Sequence, residues 1–336
     1  MNTIEKNHQR KILGINQRPS AEHSPFEGPS SYPRLCRWSL ISIGYMAAGR
    51  KIRLRWGVWK TVKADHRGTV LLLTGRGEYL EKYVETVDDL TLRGYDVYSL
   101  DWRGQGLSSR MLSNCQKGFV HTYDDYLSDL TYFVETVIKS CARPPFKMLA
   151  HSMGAHVGLR YLHDNPGEFH SAVLTAPLID VAMPNALKTI LKAYVQMAVK
   201  LGLGERYVPG AGDCKPGERR FRKNHLTSDR IRFERVNRQV RETPALALGG
   251  VTHQWLLATF RSIDVISRKD FLEEIDLPVL IVAAGNDSIV SLQAQAAAQG
   301  RLPTCTLVEL NCARHEILIE ADPFRQQFWR AFDQFI

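Results

Sequence analysis

The 336-residue chain predicts an α/β fold: a doubly wound, mostly parallel sheet with a helical lid inserted between two of its strands. Three observations carry that prediction. First, five short segments are almost continuously apolar: "TVLLLTG" (69–75), "DVYSLD" (96–101), "PFKMLAHS" (145–152), "SAVLTAP" (171–177) and "PVLIVAAG" (278–285). Such runs suit parallel strands covered on both faces. Second, segments of helical period over 79–93, 123–140 and 153–164 separate the first four, and strand alternating with helix implies right-handed crossovers in one sheet. Third, the alternation stops between Ala176 and Ile266, where the pattern is helical.

In chain order, residues 1–48 read as a flexible arm, polar, rich in Pro and Ser and without periodicity. The stretch "WSLISIGYMAA" inside it is too short and too polar to span a bilayer, and no apolar run of signal-peptide length precedes it. A soluble, cytoplasmic protein is the expectation. From Lys51 to Lys60 apolar and polar residues alternate: Ile52, Leu54, Trp56 and Val58 share one face, and Lys51, Arg53 and Arg55 the other, as in a half-exposed strand. The core then occupies 49–176 and 267–336, with "TLVEL" (306–310) as its last strand and 322–336 as a closing helix. No internal repeat is visible. The insertion, 177–266, lies where a lid over the carboxyl edge of a parallel sheet would sit, because ligands bind at that edge.

Composition narrows the function. With 44% hydrophobic residues the chain can form a substantial core, and its formal charge of +9 invites negatively charged partners. Between Lys215 and Arg241 ten Lys/Arg stand against three acids, a local +7. That segment has few stacking aromatics, Phe221 and Phe233, and no nucleic-acid motif, so nucleic acid is not an expected partner. The six cysteines (36, 115, 141, 214, 305 and 312) have no C-x-x-C spacing and no zinc-like cluster with histidine. Neither a metal nor an organic cofactor is expected. The loop "TGRGEY" lacks the dinucleotide and Walker patterns.

The chemistry centres on "KMLAHSMGAHVG". Ser152 lies between a predicted strand and a predicted helix, within A-H-S-M-G, one methyl group from the G-x-S-x-G nucleophile elbow. The positions two before and two after the serine must be small; Gly154 meets this, and Ala150 adds a methyl. His151 and His156 are not the expected bases: one leaves the elbow in another direction, the other lies in the helix. The acid and then the histidine should follow later in the chain. Asp287, in the turn after the strand "VLIVAAG", is the favoured acid, and Asp180 is its rival. His315, on the loop after the last strand, is the candidate base, ahead of His253 and His225 in the insertion and His66 before the first buried strand. A tetrahedral intermediate needs preorganised donors; the N–H of Met153 and the N–H of Arg76, between Gly75 and Gly77, are the candidates.

Together, "GRGEYLEKY", "DWRGQGLSS", "AHSMGAH", "AAGNDSIVS" and "RHE" resemble the α/β-hydrolase superfamily, and within it the bacterial lysophospholipase L2-like and monoacylglycerol lipase group, which includes serine-aminopeptidase-like sequences. The similarity runs from about Gly49 to the C-terminus, and "HLTSDRIRFERVNRQVRETPALALGGVTHQWL" looks like that group's cap. The resemblance implies Ser152 as nucleophile, Asp287 as acid, His315 as base, and the Arg76 and Met153 amides as oxyanion donors. It implies a lipid ester substrate, lysophospholipid or monoacylglycerol, with aminopeptidase, transacylase or non-catalytic binding as alternatives. Ala150 departs from the usual Gly. Arg103, in "DWRGQGLSS", is expected to be a scaffold residue. Over 184–202 the insertion is amphipathic. Leu187, Ile190, Leu191, Tyr194, Ala198 and Leu201 share a face expected to cover the active site. The alternative is that this face, with Lys188, Lys192 and Lys200, makes peripheral contact with anionic membrane.

Overall fold

The computed structural model describes residues 41–48, 52–215 and 219–336. Its strands are β1 (Ile41–Ala47), β2 (Arg53–Trp59), β3 (Gly68–Leu73), β4 (Tyr95–Leu100), β5 (Phe146–His151), β6 (Ser171–Thr175), β7 (Val279–Ala284) and β8 (Cys305–Leu310). They form one sheet in the order β1-β2-β4-β3-β5-β6-β7-β8. β1, β2 and β4 pair antiparallel, and every pair from β4 across to β8 is parallel. β3, β4, β6 and β7 are buried along their whole length, which explains why they read as unbroken apolar runs rather than alternations.

Helices cover both faces. α1 (Val84–Leu92) follows a 3-10 turn, Leu80–Tyr83. α2 (Tyr123–Phe133) starts at a Thr122–Asp125 capping box and continues through a π-helical stretch, Val134–Ile138. α3 (Ser152–Asp164) springs directly from β5. Between β6 and β7 run α4 (Asn185–Lys200), α5 (Arg230–Glu242) and α6 (His253–Ile266). α7 (Leu292–Gln299), which the sequence pattern did not announce, connects β7 to β8, and α8 (Asp322–Phe335) closes the chain. Among the described residues no helix is long and apolar enough to cross a membrane.

Two expectations are corrected. The arm expected over 1–48 is strand from Ile41 to Ala47, paired along its whole length with β2; residues 1–40 lie outside the described residues. β1 is an edge strand whose Ile43 and Tyr45 remain exposed, so its sequence carries little burial signal, and the backbone ladder holds it. Arg55, expected on an exposed face, is 2% exposed. Its guanidinium meets Glu81 at 2.7 and 2.8 Å and Asp101 at 2.7 Å. The turn before α1 covers that face of β2 and supplies Glu81.

The loop after β4 is equally rigid. Asp101 accepts the N–H groups of Leu80 and Leu107 at 3.0 and 2.8 Å. Gly106, at φ +51°, passes so close to this carboxylate that a Cβ would sit 2.2 Å from it. Arg103 bridges to Asp129 at 2.6 Å and Asp125 at 2.9 Å, a contact between loop and helix that fixes the scaffold.

Candidate active site

β5 delivers the chain to Ser152 at the carboxyl edge of the sheet. Ser152 has φ +51°, a left-handed conformation that costs a non-glycine residue of order 1–3 kcal/mol and persists only when its surroundings impose it. They do so through Gly154: a Cβ there would lie 2.4 Å from the Thr74 carbonyl oxygen and 2.7 Å from that of Leu73. Helix α3 therefore lies directly against the end of β3. Ala150, within β5 opposite Leu73 of β3 and Leu174 of β6, is fully buried; its extra methyl is accommodated in the sheet.

Three of the predicted residues come together. His315 Nε2 stands 3.0 Å from Ser152 Oγ, and His315 Nδ1 stands 2.6 Å from Asp287 Oδ2. The other oxygen of Asp287 accepts the N–H groups of Ile289 and Val290 at 2.8 and 3.1 Å. Burial alone would raise the Asp287 carboxyl pKa, but the His315 ring and these two amides outweigh it and hold the group below the usual carboxylate range. Ser152 is 7% and His315 4% exposed. A proton on Oγ thus has an acceptor, and that acceptor has a fixed orientation.

The rivals are engaged elsewhere. Asp180 pairs with Lys188 and accepts the Val181 N–H. His151 contacts the carbonyl and hydroxyl of Thr175, both at 3.1 Å. His156 lies between the Leu178 carbonyl at 2.7 Å and the Ser262 hydroxyl at 2.6 Å. Burial lowers both imidazoles to a pKa of about 4, so at neutral pH they are uncharged.

The loop after β3 carries the other predicted donor. Gly75 N–H donates to Glu78, and Gly77 N–H donates to Gln105 at 2.6 Å. Arg76 N–H lies between these two anchored amides, and no described residue accepts it. Met153 N–H belongs to the first turn of α3, where helix geometry leaves amides without an intrahelical acceptor.

Beneath this loop is a charged cluster that the sequence reading did not single out. Lys82 Nζ donates to Glu78 at 2.7 Å and to Glu316 at 2.6 Å, and the Tyr83 hydroxyl donates to Glu78 at 2.5 Å. All four side chains are buried. Burial opposes the Glu78 charge, but Lys82 leads the groups that overcome it, holding the carboxyl at about 2. Glu78 therefore stays ionised and grips the Gly75 amide. The signal was present: Glu78 and Lys82 are four residues apart within "GRGEYLEKY", and Glu316 follows the candidate histidine.

A cavity of about 250 Å³ opens in front of Ser152 and His315. Leu226, Phe233, Val236, Val240, Leu248 and Ile319 give it an apolar wall, and Arg76 and Arg219 are basic residues on its lining. The insertion thus contributes Cys214, Lys215, Arg219 and several residues between Leu226 and Leu248 to the cavity, and α4 contributes none. The expectation that the apolar face of α4 covers the site is corrected. Leu187, Ile190, Tyr194, Met197 and Leu201 are 41–68% exposed, while only Val195 and Ala198 of α4 are buried, with Val195 in the same apolar cluster as Leu257 and Phe260 of α6 and the partly buried Leu191 packed against that cluster.

Comparison with known proteins follows the same lines. The family model described as serine aminopeptidase, S33 (Hydrolase_4) matches residues 64–322. A probable lysophospholipase L2 of Haemophilus influenzae is 29% identical over 292 residues, covering 87% of this chain and 91% of that one. Lysophospholipase L2 of Escherichia coli is 28% identical over 77% of each. Among solved structures, a soluble variant of monoglyceride lipase from Saccharomyces cerevisiae, in complex with a substrate analogue, superposes with a TM-score of 0.72 at 21% identity, over 90% of this chain and 97% of that one. A carboxyl esterase from Bacillus coagulans gives 0.70 at 16% identity, over 88% and 97%. At such identities the structural matches speak to the fold.

Proposed function

The chain belongs to the serine aminopeptidase S33 (Hydrolase_4) family of α/β-hydrolases, and on that premise we propose that it is a carboxylic ester hydrolase acting on lysophospholipid or monoacylglycerol through Ser152, His315 and Asp287. The observation that carries the proposal is the continuous chain from Ser152 Oγ through His315 to Asp287, at 3.0 and 2.6 Å. The substrate class is supported by the relatives named lysophospholipase L2 and by the apolar wall beside the serine.

In this mechanism His315 Nε2 takes the Ser152 proton as Oγ attacks the ester carbonyl. Asp287 holds the Nδ1–H tautomer and stabilises the imidazolium. The carbonyl oxygen gains negative charge in front of the Arg76 and Met153 N–H groups, which need no reorganisation to receive it. Collapse expels the alcohol, which takes the proton from His315. Water then attacks the acyl-enzyme with His315 again as base, releasing the fatty acid and restoring Ser152. Attack by an alcohol or amine in place of water would make the same intermediate a transacylase, and an aminoacyl amide substrate would make it a peptidase.

The insertion acts as a lid: its Leu226, Phe233, Val236, Val240 and Leu248 wall the cavity, and Arg232 ties α5 to Glu85 at the start of α1 and to Asp322 at the start of α8. Peripheral contact with a lipid surface is supported by the exposed apolar stripe of α4. Lys188 and Lys192 already pair with Asp180 and Asp264, so the contact is chiefly apolar. The decisive experiment is fluorophosphonate labelling together with a panel of lysophospholipids, monoacylglycerols, p-nitrophenyl esters and aminoacyl amides. Labelling lost in Ser152→Ala, with ester turnover down by several orders of magnitude, is expected. Turnover above about a tenth of wild type in that variant would end the serine-hydrolase reading, and wild-type preference for aminoacyl amides would replace esterase by peptidase.

A further inference from the structure

Among the described residues, the arginines with almost no exposed surface have carboxylate partners. Arg55 holds Glu81 and Asp101, Arg103 holds Asp129, Arg232 holds Glu85, and Arg325 holds Asp89. Arg76 is different. Its guanidinium lies over the Trp255 ring, 5.1 Å from the centroid, and its Nη2 donates to the Gly249 carbonyl at 2.7 Å. Its Nε is buried without an acceptor. Among the described residues, the ionisable groups that act on it most strongly are Tyr123, Tyr126, Tyr207 and a like charge, Arg219. None is a carboxylate. Burial, the largest influence, lowers its pKa to about 10, so it remains a cation at neutral pH. A desolvated charge without a counter-ion is costly and calls for an anion.

The position says which anion. Arg76 lines both the cavity in front of Ser152 and an adjoining, more open pocket bounded by Asp213, Gly249 and Gly250, and Arg219 lines both as well. The apolar wall lies on the α5 side of the same cavity. An amphiphile with its ester at Ser152 would run its acyl chain along that wall and turn its head group toward the two guanidinium groups. We infer that Arg76, with Arg219, is a receptor for a phosphate group on the alcohol side of the ester, making a glycerophosphate ester, rather than a neutral glyceride, the preferred substrate. This rests on the ester-hydrolase reading and deepens it. Guanidinium forks match phosphate oxygens in pairs, and Arg over an aromatic face is held ready for that contact.

The test compares kcat/KM for lysophosphatidylglycerol and monoacylglycerol of the same acyl chain in the same neutral micelle. Wild type is expected to favour the phosphate-bearing ester. Arg76→Gln should lower the ratio of the two by about 10- to 100-fold, as expected for a lost charge-assisted contact. Arg76→Lys should restore part of it, since charge returns without the fork. Arg219→Gln, on the exposed rim, should move the ratio in the same direction and decides the matter if Arg76→Gln fails to fold. A wild-type preference for the neutral glyceride, or parallel loss on both substrates in every variant, overturns the assignment. sn-Glycerol 3-phosphate should inhibit monoacylglycerol hydrolysis competitively; equal inhibition by inorganic phosphate would reveal a free-phosphate site and overturn the head-group assignment. If wild type cleaves neither ester, the hydrolase reading itself fails, and calorimetric binding of sn-glycerol 3-phosphate to wild type and Arg76→Gln still tests the receptor separately.

Discussion

Replacing Gly154 with Ala tests how the fold holds the chemistry. The new Cβ would stand 2.4 Å from Thr74 O and 2.7 Å from Leu73 O, and both obstacles are backbone at the end of β3. Reaching even about 3.0 Å, the lower edge of real contacts, requires α3 and β3 to separate by roughly 0.6 Å, beyond what a packed interior absorbs without strain. The two elements carry the halves of the proposed site: Ser152 and Met153 stand just before Gly154, and Arg76 two residues after Thr74. Their separation therefore moves the nucleophile and one oxyanion donor away from the other donor. A misplacement approaching 1 Å can cost about 10²-fold in rate, and overpacking of this kind typically costs about 1–3 kcal/mol in stability. Steady-state kinetics on a soluble p-nitrophenyl ester should show kcat reduced about 30- to 100-fold, with urea denaturation reporting the stability loss. Gly300→Ala, whose Cβ would meet only Ala297 O at 3.6 Å, is the control and should change neither. A Gly154→Ala enzyme within about threefold of wild-type kcat would show that the α3–β3 contact does not set the site.

Asp287→Asn should lower kcat by about 10⁴-fold through loss of the correct His315 tautomer, whereas Asp180→Asn, which loses only its contacts with Lys188 and the Val181 amide, should cost less than about tenfold; the reverse ranking in ester kinetics would move the acid to the other loop. Stability should fall on acidification: His151 and His156 have pKa values of about 4 in the folded chain against an ordinary 6.5, so between those values the unfolded chain binds up to two more protons. The linkage amounts to about 2 kcal/mol for each histidine by pH 5, read as a falling urea midpoint from pH 7 to pH 5, and a flat midpoint would refute the buried neutral state. Ile190→Ser with Leu201→Ser should weaken co-sedimentation with lipid vesicles at least several-fold while leaving short-ester turnover unchanged; equal binding by the double variant would remove the α4 stripe as the contact surface.

Much of this site is legible in the sequence because its parts are local. Ser152 announces itself through a buried strand, a small-residue elbow and a helix between Phe146 and Asp164, and Asp287 and His315 each follow a strand at the same sheet edge. What the sequence hides is pairing across distance. Glu78 and Lys82 look like an ordinary helical ion pair until Glu316, 234 positions from Lys82, closes over them. Arg55 follows an alternating pattern that marks it as exposed, and Glu81 and Asp101 reverse that. β1 was missed for a related reason: an edge strand with Ile43 and Tyr45 exposed and only Met46 buried has a ladder but too little burial pattern to read. On α4 the apolar spacing is real, but spacing gives a face without saying what covers it.

The same distinction bears on charge. The run from Lys215 to Arg241 holds a net +7 and suggests a surface aimed at anions, yet Arg232 within it is consumed by Glu85, Asp229 and Asp322, which fasten the insertion to the core. Two of the three lysines on α4 are likewise paired. Arg76, whose strongest ionisable neighbours include no carboxylate, lies outside the run, in a loop with a single basic residue between two glycines. Net charge counts all of these equally. Binding depends on which positive groups have already spent their field on the protein itself. By that measure the anion-seeking character proposed for this molecule lies at the mouth of the Ser152 cavity, where Arg76 is joined on the lining by Arg219 of the basic segment.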